Sequence, residues 1–202
     1  GCPDYLSTTF LAGVTKALRY KAPNARLMVH PLGPGYDFEL ALANGDLDIV
    51  VGNWPEPPAH LHLAPLLDDE IVCLMAQNHP LARVVMTREQ YLHAPHVVPL
   101  SYSPTHRGVI DTHLASLRVA RNARIVVPFF SMAPYLLPET DLIFTISRHF
   151  ANHYARILPL AVVPCPIDFP RMRFYQIWHG RNQRSVAQKW IRGVLKEKKK
   201  KM

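Results

Sequence analysis

The sequence lacks any apolar run as long as a membrane span. A transmembrane helix needs roughly 20 consecutive apolar residues, and no stretch of the 202 residues approaches that length. Residues 1–10 also lack the basic start and apolar core of a secretory signal. We therefore expect a soluble protein that has no membrane partner.

Cysteine is scarce and follows no ligand-like pattern. The three cysteines, Cys2, Cys73 and Cys165, are odd in number and form no Cys-x-x-Cys pair. A disulfide framework normally needs an even set of cysteines in an oxidising compartment. The pattern favours a reducing compartment, and we predict a cytoplasmic protein.

The common catalytic and nucleotide-binding signatures are also missing. No Gly-x-Gly-x-x-Gly follows a predicted strand, and there is neither a phosphate-binding Gly-x4-Gly-Lys loop nor a Gly-x-Ser-x-Gly elbow. Cys165 lies between two prolines that supply no base, and Ser101 and Ser103 lie near His106 without the elbow that exposes a serine nucleophile. The sequence predicts a protein that is not an enzyme and binds no cofactor.

One pair of histidines has the spacing of metal ligands on a helix. His149 and His153 are four residues apart, so they would share one face of a helix. Neither a third ligand at a useful spacing nor an adjacent general-base glutamate accompanies them. We predict no bound metal.

Positive charge is abundant, with a formal net charge of +8. Residues 196–201 hold five Lys and one Glu and so contribute +4, which leaves 8 − 4 = +4 for residues 1–195. Blocks of like charge are usually solvated and disordered. We favour that interpretation of the tail over the alternative, a phosphate-binding arm.

Strand-like and helix-like segments alternate along the chain. Such alternation is typical of an α/β fold with mainly parallel sheets. The predicted strands cover 26–30, 47–51, 63–75, 96–100, 124–127, 141–145 and 171–178; the predicted helices cover 10–19, 38–43, 109–117, 132–137, 148–154, 185–195 and one that starts at Thr87.

Hydroxyl side chains recur where a predicted strand meets a predicted helix. Free N–H groups and the positive end of the dipole at a helix start attract carboxylates, and hydroxyls add donors. The simpler alternative is that each residue only caps its helix. The residues concerned are Ser7, Thr8 and Thr9; Ser101, Ser103 and Thr105; and Thr145 and Ser147.

Several motifs resemble one family over nearly the whole chain. Residues 44–52, Asn-Gly-Asp-Leu-Asp-Ile-Val-Val-Gly, and residues 79–82, His-Pro-Leu-Ala, are similar to motifs of the effector-binding domain of LysR-type transcriptional regulators. Further matches resemble the subgroup that regulates naphthalene, salicylate and nitroaromatic degradation; they lie at 126–130, 140–145, 148–151, 177–180 and 190–195.

This resemblance implies a fold and a mode of action. The expected fold is α/β, with two Rossmann-like subdomains joined by two crossover strands, as in type 2 periplasmic binding proteins. The subdomains would be residues 1–72 with 168–202, and residues 73–167. A small effector, which we expect to be an aromatic carboxylate, would bind between them and control transcription. The alternative on the same fold is a periplasmic-type solute-binding protein.

The resemblance also implies site residues and partners. By position, the effector contacts would be Asp4, Tyr5, Ser7, Thr8, Ser101, Tyr102, Ser103, Thr105, Phe129, Ile146 and Phe174. Family members form homodimers or tetramers and bind operator DNA through a preceding winged helix-turn-helix. That domain is not in this sequence, so we do not expect the chain itself to bind an operator.

Overall fold

The computed structural model describes residues 1–6, 8–33, 35–53, 58–100 and 108–198, with only the backbone given for Thr8, Thr9 and Lys198. The chain divides into two units. The first unit joins Gly1–Asp68 to Arg173–Met202, and the second is Asp69–Met172. The chain therefore passes from one unit to the other twice, after Asp68 and after Met172.

Helices and strands alternate through both units, as the sequence predicts. In chain order they are α1 Thr8–Lys21, α2 Phe38–Asn44, β1 Val50–Asn53, β2 His62–Asp69, β3 Ile71–Ala76, α3 Arg88–His93, β4 Pro95–Pro99, α4 Val109–Ser116, β5 Asn122–Val127, β6 Phe144–Ser147, α5 Arg148–Ala155, β7 Leu160–Pro164, β8 Met172–Trp178 and α6 Val186–Lys198. Short 3₁₀ helices cover Pro80–Arg83, Phe130–Leu136 and Gly180–Asn182.

The first unit contains a sheet with the strand order β1-β8-β2. Strand β1 runs antiparallel to β8, with Val50 opposite Ile177 and Asn53 opposite Phe174. Helix α1 buries Phe10, Val14, Ala17 and Leu18, which lie at the helical spacing noted in the sequence. Burial of this stripe explains why α1 forms where the apolar pattern predicts it.

Helix α2 has a defined start and a defined end. The Asp37 side chain accepts a hydrogen bond from the Leu40 N–H, and the helix stops at Gly45, whose φ is 87°. Glycine tolerates this left-handed conformation because it has no Cβ. The predicted helix end at Asn44-Gly45 is confirmed.

The second unit is built around β3. This strand is buried along its whole length and lies between β6 and β7, both antiparallel to it. Strands β4 and β5 form a parallel pair beside this sheet, and His96 bridges to Ile143. Helix α3 begins with the capping box of Thr87 and Gln90, which confirms the predicted helix start.

Three details of the predicted secondary structure are wrong. Residues 26–30 are extended but form no strand. Among the described residues, their backbone pairing is limited to one hydrogen bond, from the Cys2 N–H to the His30 carbonyl, beside an isolated bridge between Cys2 and Pro31. The pairs β1–β8, β3–β6 and β3–β7 are antiparallel, whereas mainly parallel sheets were expected. Strand β7, a short apolar run between prolines, was not predicted at all.

Among the described residues, no helix is both long and apolar enough to cross a membrane. The same residues bring together no group of three His, Cys, Asp or Glu side chains suited to a metal ion.

Candidate functional site

The expected contact residues fall into three groups. Ser7, Ser101, Tyr102, Ser103 and Thr105 lie outside the described residues, and Thr8 is described only as the first residue of α1. Asp4, Tyr5 and Phe174 belong to the first unit, whereas Phe129 and Ile146 belong to the second.

In the first unit, the structure brings Tyr5 and Phe174 together. Their ring centroids are 6.0 Å apart with an interplanar angle of 59°, a tilted aromatic contact. Both side chains are buried, and Asp4, next to Tyr5, is half-buried. These three predicted residues therefore form one local group at the turn before α1.

Asn53 joins this group and was missed by sequence reasoning. It ends β1 directly opposite Phe174, and its Oδ1 accepts a short hydrogen bond from the Tyr5 hydroxyl. In the sequence, Asn53 appears only as the first residue of a proline-rich loop. Its position immediately after the apolar strand was the available signal.

The Tyr5 phenol remains protonated at any ordinary pH. Burial raises the pKa of Tyr5, and the nearby charge of Asp4 raises it further. A protonated hydroxyl can donate to Asn53. Tyr5 therefore brings an aromatic ring and a neutral hydroxyl, rather than a negative charge, to this group.

In the second unit, the two predicted residues differ in exposure. Ile146 is fully buried within β6, opposite Val72, and not after the strand as expected, because β6 begins and ends later than the sequence pattern suggested. Phe129 immediately precedes the 3₁₀ helix Phe130–Leu136 and is 52% exposed. Of the two, Phe129 is the side chain with surface available for a ligand.

The start of α5 does not match the expected anion-binding turn. The His149 N–H donates to Asp69 Oδ2 over 3.0 Å, and the Arg148 N–H donates to the Glu70 carbonyl over 2.8 Å. The Asp69 carboxylate thus already occupies the positive end of this helix. The Thr145 hydroxyl is also engaged, 2.8 Å from the Tyr91 hydroxyl.

The simple capping explanation also fails at α5. Ser147 is the N-cap residue, but its side chain makes no capping hydrogen bond. Gly108, the N-cap of α4, has no side chain with which to make one. Asp69, the last residue of β2, supplies the capping hydrogen bond that Ser147 does not.

An open depression of about 370 Å³ also lies on the second unit, lined by Leu92, His93, Val119, Ala120, Arg121 and Asn122. None of the predicted contact residues lines it. It lies beside α3 and the start of β5, and Arg121 in its lining is bound to Asp111.

Comparison with known proteins identifies the family. Residues 1–200 match the family model described as LysR substrate binding domain. The chain belongs to this family. The resemblance inferred from the sequence motifs is therefore confirmed, and the family match gives no support to the alternative of a periplasmic-type solute-binding protein.

Three similar proteins illustrate the match to the LysR family. The HTH-type transcriptional activator NahR of Pseudomonas putida is 26% identical over 92% of this chain and 61% of its own length. The structure of the probable transcriptional regulator PA0477 from Pseudomonas aeruginosa is 28% identical, with a TM-score of 0.85, covering 98% of this chain and 65% of that one. The structure of the effector binding domain of QuiR in complex with shikimate is 16% identical, with a TM-score of 0.76. The match covers 99% of this chain and 94% of that one.

These likenesses confirm the predicted fold class. The fold is that of the LysR substrate-binding domain, the α/β fold of type 2 periplasmic binding proteins. The chain spans about three fifths of the length of the curated relatives that it matches. NahR and SyrM, two of these relatives, are named as transcriptional regulators.

Proposed function

We propose that this chain is the ligand-sensing domain of a bacterial LysR-type transcriptional regulator, in which a small effector controls transcription. The family match over residues 1–200 is the observation that carries this proposal. The domain performs no chemistry on its effector and acts in the cytoplasm. Binding would favour one arrangement of the regulator over another, and so change its action on DNA.

The effector that we propose is an aromatic carboxylate. The resemblance to the NahR subgroup supports an aromatic compound, and QuiR binds shikimate, a cyclic carboxylate. The contacts would come from the residues predicted by position: Asp4, Tyr5, Ser7, Thr8, Ser101, Tyr102, Ser103, Thr105, Phe129, Ile146 and Phe174.

These residues supply two kinds of contact. The start of α1 at Thr8 offers the free N–H groups of a helix N-terminus, which together with hydroxyls suit a carboxylate. The rings of Tyr5, Phe174 and Phe129 suit an apolar ring. Since Asp69 already caps α5, we assign the carboxylate to the α1 side rather than to α5.

The proposed partners follow from the length comparison. The relatives are longer than this chain and are named as helix-turn-helix (HTH) regulators. We propose that operator DNA is bound through such a helix-turn-helix domain and that the regulator is a homodimer or tetramer. The residue ranges 1–72 with 168–202, and 73–167, remain our proposal for the two subdomains.

The test is a ligand titration with matched variants. Benzoates, salicylates and nitroaromatic acids are titrated against the chain while its melting temperature and binding heat are measured. Ser7→Ala and Ser103→Ala should each weaken binding by about 1–3 kcal/mol, through loss of a hydrogen bond to a charged group. Ser116→Ala, on the exposed face of α4, is the control and should bind normally.

Two outcomes would count against the proposal. If no acid in the panel raises the melting temperature, the aromatic carboxylate is wrong. If an acid binds but both serine variants keep the wild-type affinity, the assigned site is wrong.

A further inference from the structure

Two of the three cysteines meet in the interior of the second unit. Cys73 lies in the middle of β3, opposite Val163 of β7, and Cys165 follows two residues later, immediately after β7 ends. Residues two apart on a strand face the same side of a sheet, so both thiols lie on one face. Each thiol acts on the pKa of the other.

The surroundings of Cys165 suit a thiolate. The Cys73 thiol, the Ile167 backbone N–H and the Tyr91 hydroxyl each lower the pKa of Cys165. Tyr91 is fixed by its contact with Thr145 at 2.8 Å. Donors that surround a sulfur favour its charged form over its neutral form.

A buried guanidinium adds positive charge to the same cluster. Arg121 is bound to Asp111 through Nε and Nη2, both at 2.8 Å, and its side chain is 5% exposed. Its third nitrogen, Nη1, is buried and has no hydrogen-bond partner among the described residues. The positive charge of Arg121 acts on both thiols, on Tyr91 and on His96.

These contacts make the two thiols unequal. Hydrogen bonding from Cys73, aided by Ile167 and Arg121, lowers the pKa of Cys165. Burial raises the pKa of Cys73, which is fully buried, whereas Cys165 is partly exposed. A partly exposed thiol of lowered pKa next to a buried thiol is the arrangement of a reacting and a resolving cysteine.

We propose that Cys165 and Cys73 form a redox site in which Cys165 reacts with a hydroperoxide and Cys73 then closes a disulfide. This inference does not depend on the proposed effector. It assigns a modification site within the second unit, formed entirely by residues 71–167.

The chemistry balances with hydrogen peroxide as the oxidant. The Cys165 thiolate attacks one peroxide oxygen, the O–O bond breaks, and hydroxide leaves and takes up a proton to form water. The Cys165 sulfenic acid is then attacked by the Cys73 sulfur, and the second oxygen leaves as water. Two thiols lose two electrons and two protons, and one peroxide is reduced to two waters.

Closure of the disulfide requires the backbone to move. Diagonal neighbours on antiparallel strands have Cα atoms roughly 7–8 Å apart, whereas disulfides usually join Cα atoms less than about 7 Å apart. Cys165 lies one residue beyond the last paired residue of β7, so the segment after Pro164 is the part that would move towards Cys73.

The experiment exposes the reduced 202-residue chain to equimolar hydrogen peroxide, followed by alkylation and a non-reducing tryptic digest. The three cysteines fall into separate tryptic peptides, 1–16, 27–83 and 157–171. We expect peptide 27–83 to be linked to peptide 157–171, and dithiothreitol to release the link. Cys2→Ser is the matched control and should form the same link, because Cys2 is buried and the pKa of its thiol is raised by burial.

Three further variants separate the roles. Cys165→Ser should form no link. Cys73→Ser should leave Cys165 as a sulfenic acid that dimedone traps. Tyr91→Phe removes one donor to the Cys165 sulfur and should slow the peroxide reaction about tenfold, with the alkylation midpoint of Cys165 moved to higher pH.

Three results with the wild-type chain would overturn the redox site. In the first, Cys165 and Cys73 remain unlinked after peroxide treatment; in the second, the link includes Cys2. In the third, Cys165 reacts with peroxide no faster than Cys2. Because the readout is a defined peptide link, failure of the effector titration would leave this test unaffected.

Discussion

At the scale of single residues, Tyr5 is a predicted effector contact whose polar and aromatic contacts lie within the protein. Its ring contacts Phe174, while its hydroxyl is already committed to Asn53. The family resemblance named Tyr5 and Phe174 among the expected contacts, and the structure brings their rings together. The contact of Asn53 with this pair is visible only in the folded structure, because β8, which places Phe174 opposite Asn53, lies more than 100 residues away in the sequence.

Tyr5→Phe tests the role of that hydroxyl. The change leaves Asn53 Oδ1 without its donor, so we expect the free energy of unfolding to fall by about 1–2 kcal/mol. Chemical denaturation measures the loss, and Tyr20→Phe is the control because Tyr20 is 77% exposed. Equal stability of Tyr5→Phe and Tyr20→Phe would show that the Tyr5 hydroxyl is not needed. Affinity for an effector should change little, since the ring remains.

At the scale of secondary-structure elements, local signals located helices better than strands. Helix α2 ends at Gly45 and α3 starts at Thr87 because the residues that fix those ends are adjacent in sequence. Strand β7 depends on β3, about 90 residues away, and only the paired structure shows that Cys165 and Cys73 lie on one face. No local pattern could have indicated that pairing.

Helix α5 gives a testable case of a distant cap. Asp69→Ala removes the carboxylate that accepts the His149 N–H and interacts with the helix dipole. We expect this variant to lose about 1–2 kcal/mol of unfolding free energy, measured by chemical denaturation. Asp46→Ala is the control because Asp46 is an exposed acid of the loop after α2. A loss no larger than that of the control would mean that Asp69 does not cap α5.

At the scale of the whole molecule, the family and the fold could be predicted from the sequence because the motifs keep their order and spacing over the full length. The direction of the strands could not, since short apolar runs have the same pattern in parallel and antiparallel sheets. The buried polar cluster of the second unit was equally invisible. Its members Tyr91, His96, Arg121 and Thr145 come from four separate elements or loops.

His96 belongs to that cluster and should make the stability of the whole chain depend on pH. Burial lowers the pKa of His96 from 6.5 to about 4, and the charge of Arg121 opposes protonation further, while Asp111 and the Tyr91 carbonyl favour it. The neutral ring donates from Nε2 to the Tyr91 carbonyl over 2.7 Å. A proton on Nδ1 would be buried without a partner among the described residues.

The sign of this dependence follows from the two pKa values. Above pH 6.5, His96 is neutral in both the folded and unfolded chain and carries no penalty. As the pH falls from 6.5 towards 4, the unfolded chain binds a proton that the folded chain does not, so stability falls by about 1.4 kcal/mol per pH unit and about 3 kcal/mol in all. Denaturation at pH 7.5 and pH 5 should show a smaller difference for His96→Gln than for the wild type. His93→Gln, at an exposed position three residues away, should keep the wild-type difference, and parallel pH profiles for His96→Gln and the wild type would contradict the assignment.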